Sequence, residues 1–124
     1  MRVLLDTQAV LAAYFGNLPR KIMELLEESE TERLISSVSI MEVALKNSVG
    51  KLKMGEAEMR EAIDDLLLTT VSFEPRHAHR MFSLPPHHRD PFDRMIIATA
   101  LEDGVPLIGA DRQLKRYKGL KVIW

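Results

Sequence analysis

Along the chain, short apolar runs alternate with longer stretches in which apolar positions recur every three or four residues. The short runs fit strands, and the helical period between them fits amphipathic helices. The pattern predicts five strands, at Val3–Leu5, Leu34–Ser36, Val71–Phe73, Leu107–Ile108 and Val122–Trp124. It predicts helices at about residues 8–15, 20–29, 39–49, 55–68, 77–82, 91–103 and 112–117. Strands separated by helices imply an α/β fold, with a central, mostly parallel five-stranded sheet flanked by helices. No repeat, linker or low-complexity segment interrupts residues 1–124, so a single domain is expected.

Some helix ends are signalled locally. "SLPPHHRDPFDR" cannot be helical through its prolines, but Asp90 followed by Pro91 reads as an N-cap with proline at the first helical position. "FDRMIIATALEDG" is then apolar around most of its circumference and stops at Gly104, which predicts a well-covered central helix. "EAEMREAIDDLLL" gathers Met59, Ile63 and Leu66–Leu68 on one side and acids elsewhere, the pattern of a surface helix.

The opening "VLLDT" stops an apolar run on a carboxylate. An acid at the end of a buried strand is costly to desolvate, so Asp6 is turned to solvent, used as a cap, or kept for chemistry. Asp111 lies three residues beyond the fourth strand. Parallel sheets collect ligands at the carboxyl ends of their strands, which places both acids at the binding edge.

Two further acids could reach the same edge. Glu42 follows Ser39 at a capping-box spacing, and Asp93 lies in the first turn of the helix capped by Asp90, where the helix dipole favours any carboxylate. Asp111 has the position of an N-cap for "RQLKRY". Capping accounts for each acid singly, but it does not require them to converge. Convergent carboxylates repel, by about 4 kcal/mol for two at about 4 Å in an effective dielectric near 20. Such repulsion raises carboxyl pKa values, and a hard divalent cation relieves it. All-oxygen ligands suit Mg²⁺ or Mn²⁺, which activates water and neutralises a phosphodiester during hydrolysis.

Composition narrows the alternatives. Of 124 residues 46% are hydrophobic, enough for one ordinary core, and 17 Lys plus Arg nearly balance 18 Asp plus Glu, so no overall field points to a nucleic acid or a membrane. The absence of cysteine excludes disulfides and thiolate metal sites and fits a reducing, cytoplasmic setting. Asp6 and Gln8 interrupt what would otherwise resemble a signal peptide, and no apolar run is long enough for a membrane span.

Residues 76–94 gather all four histidines (His77, His79, His87, His88) with Arg76, Arg80, Arg89 and Arg94. Both a solvated loop and a phosphate-contacting surface fit this composition. Neither HxH nor HH places two imidazoles on one helical face as a zinc pair would require. Lys46, Lys51 and Lys53 read as a solvated strip, and the glutamates from Glu24 to Glu32 as an exposed face.

"LLDT", "SSVSIMEVALKNSVGKL", "LPPHHRDPFDRMIIATALEDGVPLIGAD" and the closing "VIW", in this order, resemble the PIN-domain ribonucleases, specifically the VapC-like toxins of bacterial toxin–antitoxin pairs. "HHRDPFDR" is the most specific piece. The resemblance implies a Mg²⁺- or Mn²⁺-dependent endoribonuclease with Asp6, Glu42, Asp93 and Asp111 as its metal-binding and catalytic acids. It also implies an RNA substrate, a cognate antitoxin and a homodimer, while the lack of a long apolar run leaves no membrane partner expected. Thr7 is expected to hydrogen-bond Asp6 or a water on the metal, and Arg89 or Arg94 to hold the RNA backbone. The chain departs from the family pattern at Gln8, where histidine is frequent, at Met41, where tryptophan is common, and at Gly109, where a serine or threonine hydroxyl often supports the last acid. The competing reading is a non-catalytic regulatory or binding module with a receiver-like fold. A receiver, however, needs a paired acid after strand 1, an aspartate after strand 3 and a lysine after strand 5, and the chain lacks all three.

Overall fold

Val3, Leu4 and Leu5 project alternately to the two faces of a strand, as the two-residue repeat of an extended chain requires, and each face finds its own core. The computed structural model describes residues 1–124. Its elements are β1 (Arg2–Leu5), α1 (Thr7–Tyr14), α2 (Arg20–Glu27), β2 (Glu32–Ser36), α3 (Ser37–Ser48), α4 (Glu56–Asp65), β3 (Leu68–Val71), α5 (Pro75–Arg80), α6 (Pro91–Asp103), β4 (Leu107–Ile108) and β5 (Val122–Ile123). Short 3-10 turns cover Met81–Ser83 and Arg112–Arg116.

The five strands form one sheet in the order β3-β2-β1-β4-β5, and every pairing is parallel. On one face Val3, Leu5, Ile35 and Ile108 pack with Val10, Ile22, Val43, Met54 and Met59. On the other, Leu4, Leu34 and Leu107 pack with Ile96, Ile97, Ala100, Leu114 and Tyr117. Five consecutive residues of α6, Ile96 to Ala100, are buried, as its all-round apolar pattern predicts, and Gly104 ends it in the left-handed conformation (φ 64°).

The chain steps outward from β1 through β2 to β3 and then crosses back to place β4 on the other side of β1. This reversal opens a crevice at the carboxyl ends of β1 and β4, the switch point where α/β sheets bind ligands. The same order removes the receiver-like alternative. In a receiver the third strand lies beyond the first and the second forms the edge, whereas here β2 lies between β1 and β3.

Four expectations about local structure need correction. The third strand covers Leu68–Val71 rather than 71–73, and the helix before it ends at Asp65 rather than 68. Leu67 takes a left-handed φ of 53°, which breaks the leucine run and sends Leu68 into the sheet. Thr69 and Thr70 are exposed on this edge strand, where β-branched residues are at home. The helix expected from 39 starts at Ser37, capped by Ser36 Oγ, which accepts the Val38 N–H, so Ser39 and Glu42 form no capping box. The helix expected over 112–117 is a 3-10 turn, although Asp111 does cap it.

Candidate active site

Each of the four acids is carried by an element that begins or ends at the crevice. Asp6 follows β1, and its N–H donates to the carbonyl of Ile108 on β4 at 3.0 Å. Its Oδ1 accepts the Ala9 N–H at 2.8 Å and so caps α1. Its Oδ2 lies against Gly109, where any Cβ would collide with it and would stand 2.7 Å from Leu114 Cδ1. The missing hydroxyl at Gly109 is therefore the room in which the Asp6 carboxylate sits.

Asp93 lies in the first turn of α6, behind Asp90, whose Oδ1 accepts the N–H groups of Phe92 (2.8 Å) and Asp93 (3.3 Å). Asp90 is thus the cap, as expected. Glu42 is 3% exposed; its Oε2 accepts from Lys46 Nζ at 2.7 Å, and its Oε1 is buried with no hydrogen-bond partner. Asp111 is exposed, accepts the Gln113 N–H at 2.9 Å through Oδ1 and meets His88 Nε2 at 2.8 Å through Oδ2.

The acids feel one another. Burial, opposed by the Ala9 hydrogen bond and reinforced by the charges of Asp93, Glu42 and Asp111, raises the Asp6 carboxyl to about 6. Burial, followed by the charges of Asp90 and Glu42, also raises Asp93 to about 6. Raised carboxyls follow from convergence, but desolvation outweighs the mutual repulsion expected to cause them. Asp111 goes the other way, held below the usual range first by the Gln113 N–H and then by His88.

As placed, no three His, Asp or Glu side chains close around a common point. Three of the carboxylates have local partners: Ala9 N–H holds Asp6, Lys46 holds Glu42, and Gln113 N–H with His88 holds Asp111. The donor set is nonetheless all oxygen, and the orphaned Glu42 Oε1 is a buried lone pair that a cation would satisfy, which fits a hard divalent ion.

The neighbouring residues depart from expectation. Thr7 Oγ1 donates to Ser39 Oγ at 2.9 Å, tying α1 to α3 rather than supporting Asp6. Arg94 donates from Nη1 to the carbonyls of Pro85 (3.1 Å) and His88 (3.3 Å) and from Nη2 to that of Leu84 (3.2 Å), so it clamps the loop before α6 instead of facing a phosphate. Arg76 and Arg80 pair with Asp103 and Glu102. Among the arginines of residues 76–94, Arg89 alone is exposed without a partner. His77 is buried, accepting the Glu74 N–H at Nδ1 and meeting Asp103 at Nε2.

Two participants were missed. Since the Asp111 carboxylate can only accept, His88 donates to it from Nε2, and its Nδ1 is hydrogen-bonded to the Tyr117 hydroxyl at 2.9 Å. No sequence signal links these three positions. Lys46, read as a solvated lysine, is paired with Glu42, and the i,i+4 spacing in "EVALK" was the available signal. A cavity of about 620 Å³ between α3 and α4, floored by Val43, Met54 and Met59, contains none of the four acids.

The PIN domain family model matches residues 3–120. The chain belongs to the PIN-domain family. Solved structures with the same fold as this PIN domain include VapBC2 from Rickettsia felis bound to a DNA fragment from its promoter, with 20% identity, a TM-score of 0.78, and coverage of 100% of this chain and 99% of that one. DNA-bound VapBC from Salmonella typhimurium shows 19% identity, a TM-score of 0.75 and coverage of 99% and 97%. A toxin–antitoxin complex from Klebsiella pneumoniae shows 22% identity, a TM-score of 0.65 and coverage of 98% and 96%. At these identities the likeness establishes the fold. No match was found among curated proteins.

Proposed function

We propose that this PIN domain is a divalent-metal-dependent endoribonuclease, the VapC-like toxin of a toxin–antitoxin pair. The observation that carries the reading is the buried, unpartnered Glu42 Oε1 at the sheet's switch point, beside Asp6 and Asp93, whose carboxyls are both raised to about 6. Structural acids normally have every buried oxygen satisfied and titrate at or below the usual range; Glu42 keeps one buried oxygen unpartnered, and Asp6 and Asp93 titrate above that range.

Asp6, Glu42, Asp93 and Asp111 would hold the ion, Mg²⁺ or Mn²⁺. When bound, it would supply charge neutralisation at the phosphodiester and activation of water. Asp93, whose carboxylate has no local hydrogen-bond donor, is the acid freest to turn toward an ion or to take a proton. Asp111, held by Gln113 and His88, has to be released from one of them before it can reach inward. Arg89 is the cation available to the RNA backbone.

An antitoxin partner is supported by the toxin–antitoxin complexes that share the fold. The α2 sequence "RKIMELLEE", with Met23 43% exposed among acids, offers a surface for it. A homodimer in the cytoplasm completes the proposal. No helix is long and apolar enough to cross a membrane.

The test is incubation of labelled RNA with the purified protein in Mg²⁺, in Mn²⁺ and in chelator, alongside Asp93→Asn. Cleavage with either ion, lost in chelator and in the variant, is expected. An inert protein, or cleavage that persists in Asp93→Asn, would remove the nuclease reading or Asp93 from it.

A further inference from the structure

Three Glu/Lys or Glu/Arg pairs lie at i,i+4 along the helices, and one is unlike the others. Arg20–Glu24 has side chains 92% and 62% exposed, and Arg60–Glu56 75% and 78%. These are solvated pairs of the kind that contributes little. Lys46–Glu42 points inward, at 35% and 4%, and its Nζ···Oε2 distance of 2.7 Å is that of a charge-assisted hydrogen bond. The charges of Asp90 and Asp93 also act on Lys46. The Lys46 ammonium is therefore the one side-chain cation paired with a buried acid of the crevice, and it leaves the second oxygen of that carboxylate unpartnered.

A buried carboxylate needs a cation, and here Lys46 provides it. A divalent ion entering the crevice would take the neighbouring oxygen of the same carboxylate. Repulsion between a dication and an ammonium sharing one carboxylate exceeds several-fold the contribution of a single charged hydrogen bond. The two cations therefore compete.

We propose that Lys46 is the resident counter-cation of the acidic crevice, and that a divalent ion loads by displacing its ammonium from Glu42. The inference rests on the metal-binding reading above and adds to it an internal competitor that sets the ion's affinity. Its consequence has a diagnostic sign. A lysine that merely positioned Glu42 as a ligand would, when removed, weaken metal binding, as loss of such supporting contacts generally does. Removal of a competitor tightens it.

The experiment is Mn²⁺ binding by electron paramagnetic resonance to the wild type, Lys46→Gln and Lys46→Arg. Lys46→Gln should bind Mn²⁺ roughly tenfold more tightly, the scale expected when one nearby positive charge is removed from a partly screened site. Lys46→Arg, which keeps the charge, should stay near wild type. Unchanged or weaker binding by Lys46→Gln would overturn the proposal. A second measurement needs no folded Gln variant: in wild type labelled at lysine, the Lys46 ε-methylene resonance, assigned by its loss in Lys46→Arg, should shift as Mg²⁺ is added. A resonance that stays in place at saturation would also overturn it. If the wild type binds no Mn²⁺, the nuclease reading falls together with this one. If it binds and Lys46→Gln binds no more tightly, only the displacement by Lys46 is lost.

Discussion

Asp6→Asn should make the metal-free protein more stable at neutral pH while abolishing its response to metal. The folded carboxyl titrates at about 6 against 3.8 for the ordinary group. The native state therefore holds this proton more tightly than the unfolded chain does. Below about pH 4 Asp6 is protonated in both states and costs nothing; between about 4 and 6 the unfolded chain ionises first and stability falls; above about 6 the full penalty is present. The rise from 3.8 to about 6 corresponds to about 3 kcal/mol. Asparagine caps a helix as well as aspartate does, so the bond to Ala9 N–H survives, and the lost charge at the helix N-terminus takes back up to about 1 kcal/mol. The net expectation is about 2 kcal/mol at pH 7.5, or several degrees of melting temperature. The assay is thermal melting of both proteins in chelator from pH 4 to 8, repeated at pH 7.5 with Mn²⁺. The two curves should separate as pH rises through 4 to 6, and Mn²⁺ should stabilise only the wild type. A gap independent of pH, or a variant that melts below wild type in chelator and still responds to Mn²⁺, would show Asp6 to be a structural cap and refute the reasoning.

Other substitutions separate neighbouring roles. Asp90→Ala should cost about 1 kcal/mol through loss of the cap on Phe92 and Asp93 while Mn²⁺ binding persists; lost binding at full stability would place Asp90 among the ligands. Arg94→Ala should destabilise by about 1 to 3 kcal/mol, because three loop carbonyls lose their donor, and an unchanged melting temperature would refute the clamp. Arg89→Ala should leave stability unchanged but reduce the salt dependence of RNA binding, and an unaltered slope would remove it from the backbone contacts. Leu67→Asn, at an exposed left-handed position, should raise stability by about 0.5 to 1 kcal/mol by relieving backbone strain, and a lower melting temperature would count against that strain.

The parts legible in the sequence are those governed by local rules. Asp90-Pro91 starts α6 and Gly104 ends it because capping and proline geometry are properties of adjacent residues. The positions of Asp6 and Asp111 beyond their strands followed from the alternation of strand and helix. Errors arose where tertiary context decides. Leu66–Leu68 has a helical composition, and only burial of Leu68 against the neighbouring strand moves the boundary. Ser39 has a capping spacing, but packing against Thr7 places it inside α3. The engagement of Arg94 with loop carbonyls and the Tyr117–His88–Asp111 chain depend on contacts between distant segments, which no spacing encodes. The role of Gly109 was legible only as a departure from the family pattern; its reason, the space taken by Asp6 Oδ2, needed the fold.

Crystals soaked in Mn²⁺ and measured for anomalous scattering test most directly whether four acids from four separate places in the chain form one ion site. A peak bounded by Asp6, Glu42 Oε1, Asp93 and Asp111, with the carboxylates drawn together around it, is the expected result. Crystals that take up Mn²⁺ elsewhere, or a saturated soak that leaves Glu42 Oε1 without an ion, would contradict the reading of this crevice as a metal centre.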